Sequence, residues 1–253
     1  MGKVIYDAGF YAKLRDETAG TARLFLTEVF RLCPGIRSVV DAGCGVGAWL
    51  AAARELGAQE ICGLEGAWLA SERVELAVPL GVVRTCDLAL PWNLEHRFDL
   101  AISLEVAEHL PPSAAEQFVA ELAAAAPRVL FSAAVPYQGG IYHQNEQWQS
   151  YWARLFVQCG MAPYDVIRPK FWSDGSVNHY YRQNTVLYLR PEAAAASPVL
   201  VGRPPNEVSS VLDVVHPEQL RCKQCESDEI RAQLDSPWTC MKHHARRWLK
   251  RAR

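Results

Sequence analysis

The chain of 253 residues lacks any long apolar run. Its hydrophobic residues are 50% of the total, but charge, Pro or Gly interrupts them before the roughly eighteen residues that a membrane-spanning helix needs. An excess of one charge is missing too. Lys and Arg number 26 against 28 Asp and Glu, for a net charge of -2, so there is no global basic field of the kind that gathers nucleic acid. The opening "MGKVIYDAGFYAKLRDE" has no apolar core of an export signal. Gly2 is not followed by the Ser or Thr of a myristoylation motif, because position 6 is Tyr6. No segment repeats. The eight cysteines are scattered, and without an export signal they fit reduced thiols in a cytoplasm. What remains is a cytoplasmic chain with no membrane span and no DNA-binding signature, long enough for one large domain with an appendage.

What is present is alternation. Residues 11–33 place Leu14, Leu24, Phe25, Val29, Phe30 and Leu32 at helical spacing, and Pro34-Gly35 stops them. "IRSVVDAG" reads as a buried strand, and "EICGLE", "VVRTCDL", "FDLAISLE" and "RVLFSAAVP" read as the second to fifth strands. Between them lie "GAWLAAARELG" as a helix closed by Gly57, "ERVELAVPLG" as a helix and turn, and a Pro-bounded helix from about Ser113. "EQWQSYWARLFVQCG" is an amphipathic helix, and "APYDVIRP" and "NTVLYLR" are two last strands with a short connection. Strand and helix in alternation predict an α/β fold: a Rossmann-like, doubly wound sheet of about seven strands, mostly parallel, with an antiparallel edge hairpin. The expected organisation is a cap helix over 1–35, the sheet domain over 36–190, a Pro- and Ala-rich linker over 191–205, and a C-terminal extension over 206–253, partly mobile.

"VVDAGCGVGAWL", from Val39 to Leu50, is the densest signal. Gly43, Gly45 and Gly47 follow a strand and open a helix, the context of a nucleotide-binding turn. The spacing is not that of the dinucleotide fingerprint, and Asp41 stands before the first glycine. An acid at a helix N-terminus repels a pyrophosphate. It suits a ligand bearing an ammonium group, and S-adenosylmethionine has an ammonium, a sulfonium and no phosphate. Glu65 ends the second strand, where a carboxylate can accept from ribose hydroxyls. Asp87 ends the third, placed for an adenine amino group with Leu88 against the ring. The alternative for this region is glycines that only allow close packing and acids that are solvated.

With "VVDAGCGVGAWL", "GLE", "CDL" and "FDLAISLEVAEHL" in that order, the sequence resembles the class I S-adenosylmethionine-dependent methyltransferase family. The resemblance covers Ile36 to Arg190. It implies cofactor contacts from Asp41, Gly43, Cys44, Gly45, Gly47, Glu65, Gly66, Asp87, Leu88, Leu104 and Glu105. Tyr6 and Tyr11 lie in a segment that often closes over the cofactor in this family. More narrowly, "AVPYQGGIYHQNEQWQSYWARLF", "IRPKFW" and "YRQN" look like bacterial methyltransferases of surface-polysaccharide or glycosylated-metabolite pathways.

Methylating an alcohol requires a base or a metal beside the acceptor oxygen. "SLEVAEHL" offers Glu105, Glu108 and His109. "PYQGGIYHQNEQW" offers His143, with Tyr142, Asn145 and Glu146 beside it. The first pattern with a distant His is similar to the magnesium site of small-RNA 3′-terminal 2′-O-methyltransferases, which implies Glu105, Glu108, His109 and His143 as ligands for Mg²⁺ or another divalent ion. Two further readings stand beside it. In one, His143 is a general base without metal, with His109 and Glu108 nearby. In the other, these residues cap helices and bond to loops. Aromatics crowd the same regions, and Trp148, Tyr151, Trp152, Leu155 and Phe156 fit one helical stripe that reads as core.

The expected reaction is O-methylation of a hydroxyl on a sugar or glycosylated small molecule. N- or C-methylation, another reaction of the same cofactor, RNA 2′-O-methylation and cofactor binding without turnover are the rivals. The RNA reading predicts a basic face, yet the basic run "KHHARRWLKRAR" is confined to the tail, where it can dock on a partner or an anionic surface. Cys222-x-x-Cys225 with Cys240 and His243 or His244 has zinc-ligand residue types; the alternative is incidental thiols.

Overall fold

The computed structural model describes the backbone of residues 8–71, 75–208 and 212–235, and the side chains of 18–69, 75–208 and 212–232. Tyr6, the side chain of Tyr11, Cys240, His243, His244 and the basic run lie outside the described residues.

Two compact units divide the chain between Val214 and Val215. The first opens with α1 (Ala8–Leu32) and continues as β1 (Ser38–Ala42), α2 (Ala48–Glu55), β2 (Glu60–Glu65), α3 (Trp68–Ser71), β3 (Val83–Thr85), β4 (Leu100–Leu104), α4 (Ala115–Ala125), β5 (Arg128–Ser132), α5 (Gln149–Gln158), β6 (Ala162–Tyr164), α6 (Arg168–Phe171), α7 (His179–Asn184), β7 (Val186–Leu189) and α8 (Pro191–Ala195). The seven strands form one sheet in the order β3-β2-β1-β4-β5-β7-β6. β7 alone runs antiparallel, against both β5 and β6. The order reverses between β1 and β4, the switch point at whose carboxyl side open α/β sheets bind their ligands.

Both faces of the sheet are covered, so the central strands are apolar throughout, with every residue of β4 buried. On one face α1 buries Ala22, Phe25, Leu26, Val29 and Leu32, a helical stripe, while Leu24 faces out. Phe25 stacks on Phe171 at 4.7 Å between ring centroids and meets Trp49 edge-on at 6.0 Å. On the other face Phe131, Trp152, Phe156 and Tyr188 interlock, with Phe156 stacked on Tyr188 at 4.0 Å. Trp152, Leu155 and Phe156 are thus core, as the helical stripe requires, whereas Trp148 is exposed.

Four local expectations need correction. "ERVELAVPLG" is not a helix where it is described: α3 precedes it, and residues 75–79 are irregular. β3 stops at Thr85, which leaves Asp87 in the following turn. The link between β6 and β7 is not short, because "IRPKFWSDGSVNHYYRQN" folds into α6 and α7 around a buried Arg168 that chelates Asp165 and donates to the carbonyls of Gln183 and Leu212. Residues 191–205 are not a free linker. Ala193, Ala194 and Leu200 join the core, Ser197 Oγ donates to the Leu32 carbonyl, and the Asn206 N–H donates to the Pro163 carbonyl at 2.9 Å.

The second unit, from Val215, carries α9 (Pro217–Asp235), in which Cys222 and Cys225 are exposed free thiols. Among the described residues no helix is long and apolar enough to cross a membrane.

Candidate active site

The carboxyl ends of β1, β2, β4 and β5 open into a cavity of about 1200 Å³. The glycine loop forms one wall. Gly43, Gly45 and Gly47 all have positive φ, at 83°, 52° and 82°, a conformation that costs any other residue strain. Two of the three also pack tightly. A Cβ on Gly43 would sit 2.4 Å from Val106 Cγ2, and one on Gly47 would sit 2.6 Å from Val78 Cγ2, while Gly45 has open space. Gly47 is not among the residues that line the cavity; it sits in the turn, where its N–H donates to the Cys44 carbonyl. Gly43 and Gly45 combine turn geometry with a place in the cavity wall.

Glu65, at the end of β2, is tied to this loop. Its Oε2 accepts from the Gly45 N–H at 2.7 Å, and its Oε1 accepts from the Gly66 N–H at 2.8 Å and from Trp68 Nε1 at 3.0 Å. Three donors fix the carboxylate, which still has lone pairs for a ligand hydroxyl. Asp41 differs. It is buried and lines the cavity, yet its Oδ2 has no hydrogen-bond partner. Burial, and then the charge of Glu65, push its carboxyl well above the usual carboxylate range. Cys44 is buried beside Gly63, and burial pushes its thiol up, as expected of an inert side chain. Asp87 is exposed, with its Oδ1 accepting from the Ala89 N–H at 3.0 Å in a turn that presents buried Leu88 to the same cavity. Gly66 and Leu104 complete this lining.

Glu105 follows β4 with φ of 56°. Its N–H donates to Ser132, and its carboxylate accepts from Asn184 Nδ2 at 3.1 Å and Gln138 Nε2 at 2.8 Å. Gln138 Oε1 in turn accepts from Asn184 Nδ2 at 2.9 Å and Gln183 Nε2 at 3.2 Å. The expected fourth metal ligand is instead held by side-chain amides. It stands outside the cluster formed by Glu108, His109 and His143, whose ligand atoms lie within 4.8 Å of one another.

That cluster joins two loops. The Glu108 carbonyl accepts from the N–H groups of Gln144 and Asn145, which pins the loop after β5 against the loop after β4. The Glu108 side chain is wholly buried, and its carboxylate makes no hydrogen bond of good geometry, although the backbone amides of Glu108 and Ala134 and the Glu105 carboxyl lie near it. Burial, and then the neighbouring charge of Glu105, hold its carboxyl well above the usual range. The His109 and His143 rings meet edge-on at 4.7 Å. Burial, then His143, keep the His109 imidazole below its ordinary value. His143 Nδ1 lies 2.9 Å from Glu146 Oε1. The same carboxylate accepts the N–H groups of Tyr137 and Gly139, each at 2.8 Å.

Sequence reasoning placed Glu146 beside His143 without a role; the i, i+3 spacing of His and Glu was the available signal. Gln138, Gln183 and Asn184 carry no motif in the sequence that marks them as one network. Trp49, Trp68, Tyr180 and Tyr181 also line the cavity and went unassigned, because nothing in a single sequence links a tryptophan in α2 to a tyrosine pair in α7.

A family model described as a methyltransferase domain matches residues 11–175. No curated protein shows a sequence match to the chain. Among solved structures, the sugar N-methyltransferase from Streptoalloteichus sp is similar with a TM-score of 0.56 and 16% identity, over 75% of this chain and 94% of that one. DesVI from Streptomyces venezuelae has a TM-score of 0.55 and 11% identity, over 75% of this chain and 100% of that one. An amino pentose methyltransferase of calicheamicin biosynthesis from Micromonospora echinaspora, solved with S-adenosylmethionine bound, has a TM-score of 0.52 and 14% identity, over 75% and 100%. Since the family match runs from α1 through both loops that carry the cavity's acids and histidines, the chain belongs to the methyltransferase-domain family, in the S-adenosylmethionine-dependent class whose fold it shares.

Proposed function

We propose that this enzyme methylates a hydroxyl group of a sugar or glycosylated small molecule, with His143 taking the hydroxyl proton. S-adenosylmethionine supplies an electrophilic methyl group on a sulfonium. The residues fit it. The partnerless Oδ2 of buried Asp41 is matched by an ammonium, which offsets the several kcal/mol that an uncompensated buried carboxylate costs. Glu65 has lone pairs left for ribose hydroxyls, and Asp87 and Leu88, in the turn after the third strand, line the cavity where the adenine would lie.

The observation that carries the hydroxyl reading is the His143–Glu146 pair. A carboxylate on Nδ1 favours the tautomer with the proton on that nitrogen and leaves Nε2 as an acceptor. As the acceptor oxygen bonds to the methyl carbon and the sulfur–carbon bond breaks, Nε2 receives the hydroxyl proton. The imidazolium so formed is stabilised by Glu146, and the loop around it orients the attacking oxygen. A neutral amine attacks without such a base in the bond-forming step, so the pair favours oxygen. The sugar is supported by the likeness to two sugar methyltransferases and by Tyr142 beside His143, an exposed ring suited to sugar C–H faces.

A second reading is favoured by Glu108, whose buried carboxylate lies within ligand reach of both histidines. In it Glu108, His109 and His143 hold a divalent cation, which polarises the hydroxyl instead.

Transfer of labelled methyl from S-adenosylmethionine to hydroxylated and aminated sugars, with and without EDTA, tests both. Transfer to hydroxyls that survives EDTA and is lost in His143→Ala supports the base. Loss on EDTA treatment with recovery on adding Mg²⁺ or Mn²⁺ moves the metal reading ahead. Transfer to amines alone refutes the hydroxyl assignment.

A further inference from the structure

The polar lining of the cavity bears on the charge of the acceptor, an inference that rests on the methyl-transfer reading above. Among the described residues, Asp41, Glu65, Asp87, Glu105 and Glu108 all line the cavity, and no Lys or Arg does.

Several of the backbone amides nearby are committed as well. Runs of turn N–H groups make concave anion sites, which is how α/β folds cradle phosphates. In the glycine loop the N–H groups of Gly43 and Cys44 donate to the Leu64 carbonyl at 2.9 and 3.3 Å, and that of Gly47 donates to the Cys44 carbonyl at 2.8 Å. That of Gly45 donates to the carboxylate of Glu65 at 2.7 Å. In the loop that carries His143, the N–H groups of Tyr137 and Gly139 both converge on the carboxylate of Glu146. Each loop therefore fills its own anion position with a glutamate of this chain.

We infer that the methyl acceptor carries no phosphate: it is a neutral or cationic sugar-type molecule, not a sugar phosphate or a nucleotide-activated sugar. A phosphate brought to the part of this lining that the cofactor leaves open would lose its water beside Glu105 and Glu108, with no Lys or Arg among the described residues and none of those loop amides to replace it. A hydroxyl or an ammonium meets acceptors instead. The same argument sets the enzyme apart from acceptors such as RNA, whose backbone would bring several phosphates to the site.

The test is calorimetry on the protein loaded with S-adenosylhomocysteine, using matched probes: methyl glucoside with glucose 1-phosphate, and glucosamine with glucosamine 6-phosphate. Titration of S-adenosylhomocysteine alone comes first, because its failure to bind refutes the methyltransferase reading separately. The expected result is that the unphosphorylated member of a pair binds more tightly by about tenfold or more. A smaller preference, tighter binding of the phosphate ester, or no binding by either member of both pairs overturns the inference. Glu146→Ala frees the Tyr137 and Gly139 amides, and is expected to gain binding of inorganic phosphate over the unaltered protein. Equal phosphate binding by the two proteins also counts against the inference.

Discussion

Glu146 holds His143 through a 2.9 Å contact to Nδ1 and, with the same carboxylate, gathers the N–H groups of Tyr137 and Gly139. One side chain thus sets both the tautomer of the ring and the path of the loop that carries it. Tyr137 and Tyr142 keep positive φ values of 66° and 63° in that loop, conformations that persist only where the surroundings impose them. Removing the carboxylate should loosen both at once. Glu146→Gln is expected to lower kcat by roughly 10- to 100-fold, the usual effect of losing a histidine's orienting partner. KM for S-adenosylmethionine should stay nearly constant. Steady-state kinetics check this: a purely structural role would raise KM for S-adenosylmethionine along with lowering kcat, whereas loss of the orienting carboxylate lowers kcat alone.

Asp41 gives a prediction with a definite sign. Its folded carboxyl lies above the ordinary value of 3.8, because burial and Glu65 disfavour the charge. The folded protein therefore holds this proton more tightly than the unfolded chain does. Stability from this group is present at low pH and is lost as pH rises from the ordinary carboxylate range through the folded value. Asp41→Asn should flatten that part of the pH–stability profile and leave the unliganded protein at least as stable at neutral pH. It should also weaken S-adenosylhomocysteine binding by about tenfold or more, since a charge-assisted contact is lost. Binding to the unaltered protein should release protons on the acid side and tighten with pH. Calorimetry in buffers of different ionisation enthalpy reads the release directly.

The glycines are expected to separate by mechanism. Gly43→Ala adds a Cβ 2.4 Å from Val106 to an already unfavourable φ, so it should destabilise by about 2–4 kcal/mol. Gly45→Ala meets no atom within 4 Å and should cost only the backbone term, about 1–2 kcal/mol. In the Gly43→Ala protein, Val106→Ala should recover the clash and not the strain. Urea denaturation of the four proteins gives the partition.

The amide network around Glu105 should be costly to dismantle. Asn184 is buried and donates both to Glu105 and to Gln138. Asn184→Leu would leave a carboxylate oxygen with fewer donors, at a cost of about 1–3 kcal/mol. Pairing it with Glu105→Gln, which removes the charge, should recover part of that loss. Thermal denaturation of the single and double variants measures the coupling.

Much of this was legible in the sequence because it is local. The run from Val39 to Leu50 announces strand, turn and helix in twelve letters. The buried strands are continuous apolar runs, so their order in the chain could be read directly. The sheet order could not follow from periodicity, nor could the placing of β7 between β5 and β6, since both are settled by packing across the whole domain. Residues 191–205 read as a linker from their Pro and Ala content. In the fold small side chains there serve to pack Ala193 and Ala194 close against the core. Glu105 is grouped with Glu108 by position, but a left-handed backbone at Glu105 hands its carboxylate to Asn184 and Gln138 while leaving it close enough to Glu108 to raise that carboxyl. That turn is tertiary, and no motif encodes it.

The outer margin of the sheet also governs how copies of this protein meet one another. β6 is only three residues long, and Pro163 at its centre has no N–H. The Pro163 carbonyl is taken by the Asn206 N–H, and Asn206 Oδ1 accepts the Asp165 N–H at 2.8 Å. An incoming strand from a second molecule finds few unclaimed backbone groups on which to extend the ladder. The segment that returns after α8 therefore blunts the β6 edge against edge-to-edge pairing, the hazard that every open sheet faces.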